Sequence, residues 1–97
     1  MKEFDINKFK NRDLAIVFFN GEEYERICNI LSKTYRLKLN YNDVVYFDYD
    51  KITFDKIKKP IIIMYDKIDD EFYWRGITTK EFYDLNKKGK LIYSLCL

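Results

Sequence analysis

Residues 60–77 read PIIIMYDKIDDEFYWRGI, and the fold turns on this stretch. The run 61–65 is apolar and β-branched, and Pro60 stands at its start, where a strand tolerates a missing N–H. Residues 67–70 (KIDD) make a polar turn into a second run, 72–77 (FYWRGI), so the two runs predict a β-hairpin with Ile61 to Met64 inside a sheet. Working outward towards the C-terminus, Thr78 and Thr79 offer N-cap hydroxyls and Glu81 sits in the first turn of a short helix through Phe82 and Leu85. Lys87 and Lys88 suit the end of that helix, Gly89 its left-handed cap, and residues 91–96 (LIYSLC) a last strand.

Towards the N-terminus, residues 14–19 (LAIVFF) form a continuous apolar run, short enough for a strand covered on both faces. Asn20 then caps a helix over about residues 22–34. Glu22 and Glu23 lie at the positive end of its dipole, and Tyr24, Ile27, Cys28 and Leu31 line its buried face. Residues 40–43 (NYND) are a turn and 44–49 (VVYFDY) a strand; Ile52, Phe54 and Ile57 either extend that ribbon or form a helical turn. Residues 1–13, with Phe4, Ile6 and Phe9 as anchors, are expected as a loosely packed lead-in or a short helix. The order β-α-β-β-β-α-β predicts an α+β fold. We expect one domain over residues 1–97, with a mixed, mostly antiparallel sheet of four to five strands and two helices on one face.

The chain of 97 residues contains no histidine, so it lacks both the side chain best suited to proton transfer near neutral pH and the commonest metal ligand. Ser32, Ser94, Cys28 and Cys96 have no histidine partner, and no glycine-rich phosphate loop is present, so the chain is read as a non-enzyme without cofactor. The acidic stretch with Asp48, Asp50 and Asp55 fails as a calcium loop. Counted from Asp48, Thr53 stands where such a loop wants glycine and Lys59 where it wants glutamate. The two cysteines form no C-x-x-C pair and are read as buried free thiols, and Cys96 is misplaced for a prenylation box. The longest apolar run, 61–65, is far short of the roughly 20 residues that cross a bilayer. With no signal-peptide pattern at the N-terminus, a soluble, cytoplasmic protein is expected.

Aromatics fill the chain instead: nine Tyr, eight Phe and one Trp among 34 charged residues with a net charge of +2. Interspersed signs argue against a dedicated non-specific DNA binder. Trp, Tyr and Arg are the residue types most enriched at binding hot spots. The hairpin offers Asp69, Asp70 and Glu71 at an acidic tip and Tyr73, Trp74 and Arg75 along the following strand, which makes these six the candidate partner-binding residues. Because neighbours on a strand point to opposite faces, a core Trp74 leaves Tyr73 and Arg75 exposed together. The tip also reads as an acidic mimic of nucleic-acid phosphates. Tyr35, Arg36, Lys38 and Tyr41 raise the alternative of base stacking beside cationic contacts.

The helix after Asn20, the strands at 44–49 and 61–65, and the closing segments 75–81 (RGITTKE) and 87–92 (KKGKLI) resemble small viral and mobile-element proteins of the ring-nuclease-like family. That family includes the ring nucleases that viruses use to degrade cyclic oligoadenylate signals. They place a catalytic His at the start of the first helix, where this chain has Asn20-Gly21-Glu22, so no activity or site residue carries over. What the resemblance implies is a phage or mobile-element setting. Together these readings predict a non-enzymatic protein-binding module, an accessory or inhibitory protein that occludes a host nucleic-acid-handling or defence protein. The alternative is a nucleic-acid or nucleotide-binding protein that uses Tyr and Arg stacking.

Overall fold

The computed structural model describes residues 4–39 and 60–97. The predicted hairpin forms its centre. Strands β3 (Ile61–Asp66) and β4 (Glu71–Gly76) pair antiparallel from Ile61 opposite Gly76 to Asp66 opposite Glu71, and the Ile77 N–H donates to the Pro60 carbonyl at 3.1 Å just outside. Strand β1 (Ala15–Phe18) lies on the other side of β3, antiparallel. Strand β5 (Leu91–Tyr93) runs parallel to β1 at one edge, and β2 (Lys38–Leu39) runs parallel to β4 at the other. Among the described residues the spatial order is β2-β4-β3-β1-β5, a five-stranded mixed sheet in an α+β domain. Its antiparallel ladders are the longer ones, as expected, and β3 alone runs against the other four strands.

Helix α1 spans Ile6–Lys10, α2 Gly21–Lys33 and α3 Thr79–Lys87. Asn20 caps α2 as its sequence indicates, its side chain accepting from the Glu23 N–H at 2.9 Å, while the Glu23 carboxylate reaches back to the Phe19 N–H at 2.6 Å. Thr78 Oγ1 does the same for α3, accepting from the Glu81 N–H at 3.1 Å. That helix ends with Gly89 at φ 69°, and the Lys90 N–H closes on the Leu85 carbonyl at 2.9 Å.

The helices do not share a face, and this corrects the sequence-based expectation. Tyr24, Ile27 and Leu31 of α2 pack with Ile16, Phe18, Ile61, Ile63, Phe72 and Trp74, whereas Phe82 and Leu85 of α3 pack with Ala15, Val17, Ile62 and Leu91. The reason is topological. The crossover β1-α2-β2 and the crossover β4-α3-β5 each join parallel strands but travel in opposite directions across the sheet. Such connections are right-handed in nearly all proteins, and two right-handed crossovers of opposite travel need opposite faces. Every residue of β1, and Ile61 to Ile63 of β3, is buried, as a sheet covered on both faces requires.

Residues 4–13 are docked. The Asp5 side chain caps α1, accepting from the N–H groups of Asn7 and Lys8, and Phe9 is fully buried against the ring of Tyr65. Of the two expectations for this segment the short helix forms, and it closes one end of the larger core. Cys28 and Cys96 are free and half-buried. No helix among the described residues is long and apolar enough to cross a membrane. The expected turn at 40–43, the strand at 44–49 and the residues Asp48, Asp50, Ile52, Thr53, Phe54, Asp55, Ile57 and Lys59 lie outside the described residues.

Candidate interaction surface

The pleat of β4 sorts the six hairpin residues. Phe72 and Trp74 point into the α2-side core, both buried, while Glu71, Tyr73 and Arg75 point to the opposite face. On that face the register sets Tyr73 beside Met64, Arg75 beside Ile62, and Glu71 between Asp66 of β3 and Lys38 of β2. Helix α3 covers the β1–β5 side of this face and leaves the β4 row at its rim. Trp74 is therefore a core residue, and of the aromatics on β4 it is Tyr73 that stands on the outward face.

Contacts hold this row in place. Arg12, at the left-handed turn after α1 with φ 64°, directs its guanidinium Nη2 to the Tyr73 hydroxyl at 3.2 Å, and that hydroxyl lies 3.9 Å from Met64 Sδ. Arg75 pairs with Glu81 of α3 at 3.1 Å, both side chains nearly half exposed. A solvated pair of this kind contributes about 0–1 kcal/mol.

The acidic tip is more structural than its sequence suggests. Asp66 Oδ1 accepts from the Ile68 N–H at 2.9 Å, a local turn bond. Asp70 adopts φ 54° and accepts the Tyr65 hydroxyl in a short hydrogen bond. That bond, helped by burial and by the charges of Asp70 and Asp66, holds the Tyr65 phenol above its ordinary pKa. Asp69 is exposed, and Ile68 beside it is 91% exposed, an apolar knob at the tip that the acidic reading passed over.

A second exposed region lies at the β5 edge. Phe19 (46% exposed) stacks on Tyr93 (40%) with centroids 6.3 Å apart and meets Phe82 edge-on at 6.2 Å; Tyr83 (64%) adjoins Phe82, and Leu95 is 80% exposed. Two tyrosines, Tyr83 and Tyr93, are thus exposed together. Sequence reasoning missed their gathering because Phe19 looked like the last residue of a buried strand.

A cleft of about 440 Å³ opens between α2 and β2, lined by Cys28, Asn29, Ser32, Leu37, Lys38, Leu39 and Glu71. Burial raises the Cys28 thiol to about 11, partly offset by a hydrogen bond with Tyr24 and reinforced by the charge of Glu25. A thiol so protonated is a poor nucleophile and a poor metal ligand at neutral pH. Among the described residues no three His, Cys, Asp or Glu side chains are grouped to hold a metal ion. Of the base-stacking set, Tyr35 is half-buried with its ring edge-on to Phe4 at 5.3 Å, Arg36 and Lys38 are exposed, and Tyr41 lies outside the described residues. Compared with known proteins, the chain matches no family model, no curated protein and no solved structure.

Proposed function

We propose that this chain is a non-enzymatic protein-binding module, a phage or mobile-element accessory protein that inhibits a host nucleic-acid-handling or defence protein by covering its surface in the cytoplasm. The observation that carries this reading is the outward row of β4. Tyr73 is fixed between Arg12 and Met64, and Arg75 stands beside it at the rim of the sheet. A rigid aromatic flanked by exchangeable charges is the composition of a binding hot spot. Asp69 and Glu71 supply the charged border that steers encounter, and Asp70 shapes the turn that presents it.

Charge balance favours a protein over a nucleic acid as partner. Arg12, Lys38 and Arg75 on this side are matched by Asp66, Glu71 and Glu81, so the face is not the uninterrupted cationic track that phosphate binding needs. The test is a binding titration of the captured host partner against the parent protein and the Tyr73→Ala/Arg75→Ala variant. Loss of about 2 kcal/mol or more per anchor is expected with the fold intact. Equal binding by a folded double variant would remove this row from the interface.

A further inference from the structure

Strand β5 is the edge of the sheet, and among the described residues nothing pairs with its outer side. The Ala15 N–H donates to the Lys90 carbonyl at 2.8 Å, so Lys90 and Ile92 turn their amide groups towards β1. By the alternation of a strand, the N–H groups of Leu91 and Tyr93 and the carbonyl of Leu91 face the open edge. Beside that edge lie the exposed rings of Phe19, Tyr83 and Tyr93 and the side chain of Leu95. An uncovered edge continuous with an apolar patch is a template for pairing with another chain.

The charges at the two ends of β5 say which chain. Lys87, Lys88 and Lys90, all exposed, precede it. Its far end lies beside the exit of β1, since Tyr93 is opposite Val17, and there the first turn of α2 carries Glu22 and Glu23. Antiparallel pairing of β5 with a second β5, about a two-fold axis at Ile92, sets the basic end of each copy beside the acidic end of the other. Leu91 of one copy then faces Tyr93 of its mate. We infer that the protein forms a two-fold homodimer through its β5 edges, joining two five-stranded sheets, with the Phe19–Tyr93 stack and Leu95 buried at the seam. The surface is self-complementary, as a two-fold contact between identical patches must be.

Sedimentation equilibrium over a concentration series tests this, up to about 100 μM, where even a dimer of micromolar affinity is well populated. The parent is expected to dimerise. Tyr93→Asp and Leu95→Asp are each expected to raise the dissociation constant about 30-fold or more, the cost of losing one interface anchor. Ile68→Asp, at the hairpin tip, should leave it unchanged. Circular dichroism confirms the fold, and if Tyr93→Asp unfolds, the more exposed Leu95→Asp decides. Lys87→Glu/Lys88→Glu and Glu22→Lys should each weaken self-association, and an equimolar mixture of the two should form a heterodimer. A monomeric parent, a dimer indifferent to position 95, or a mixture that fails to pair would each overturn the inference.

Discussion

Replacing Phe9 by Ala asks whether the N-terminal segment belongs to the core. Phe9 is fully buried, stands edge-on to Phe4 at 5.8 Å and leans on Tyr65 at 6.0 Å, on a helix that packs against β3. Removing a buried phenylalanine ring costs about 3–5 kcal/mol, from lost transfer energy and from the cavity left where neighbours relax only in part. Domains of this size are stable by about 5–15 kcal/mol, so the loss is a large fraction of the whole. Urea unfolding followed by far-ultraviolet circular dichroism should show a midpoint shifted well downward with the slope unchanged, because α1 unfolds with the sheet. Ile68→Ala at the exposed tip serves as reference and should change stability by no more than about 0.5 kcal/mol. A Phe9→Ala variant within about 1 kcal/mol of the parent would show that residues 4–13 are a detachable lead-in, and the packing argument for α1 would be wrong.

Four further outcomes are expected. Gly89→Ala, at φ 69°, should lower stability by about 1 kcal/mol through strain at the left-handed cap, read as a fall in melting temperature. In a Cys96→Ser background, Cys28 at about 11 should react with a thiol reagent at pH 8 roughly 100-fold more slowly than the same thiol in the denatured chain, since the thiolate fraction falls tenfold per unit. The same raised value makes folding release stability with increasing pH: the contribution, about 2–3 kcal/mol at most, is whole below pH 9 and is lost as pH climbs through about 11, which alkaline unfolding curves of parent and Cys28→Ser check. Asp70→Ala should lower the pH at which Tyr65 ionises, measured as the difference in phenolate absorbance between that variant and the same variant carrying Tyr65→Phe.

Elements whose cause is local were readable from the residues. Asn20, Thr78 and Gly89 set helix ends through bonds to atoms within four residues, and the hairpin strands follow from apolar runs parted by a polar turn. The helix faces were not readable. That arrangement depends on β1 pairing with β5 and on β4 pairing with β2, contacts between residues far apart in sequence. The site divides in the same way. Strand alternation put Tyr73 and Arg75 on one face once Trp74 took the core. The partners Arg12 and Glu81, and the meeting of Phe19 with Phe82 and Tyr93, needed the closed sheet.

The central claim, that recognition runs through an aromatic-centred protein contact, is tested most directly by the salt dependence of partner binding. A protein interface anchored on Tyr73 and Arg75, with rim charges that only steer encounter, should lose less than about tenfold in affinity between 50 and 200 mM salt. A nucleic-acid partner held by six or more phosphate contacts would lose about 10³–10⁵ over the same range. A loss below tenfold supports the account; a linear fall of logarithmic affinity with the steep phosphate slope would contradict it.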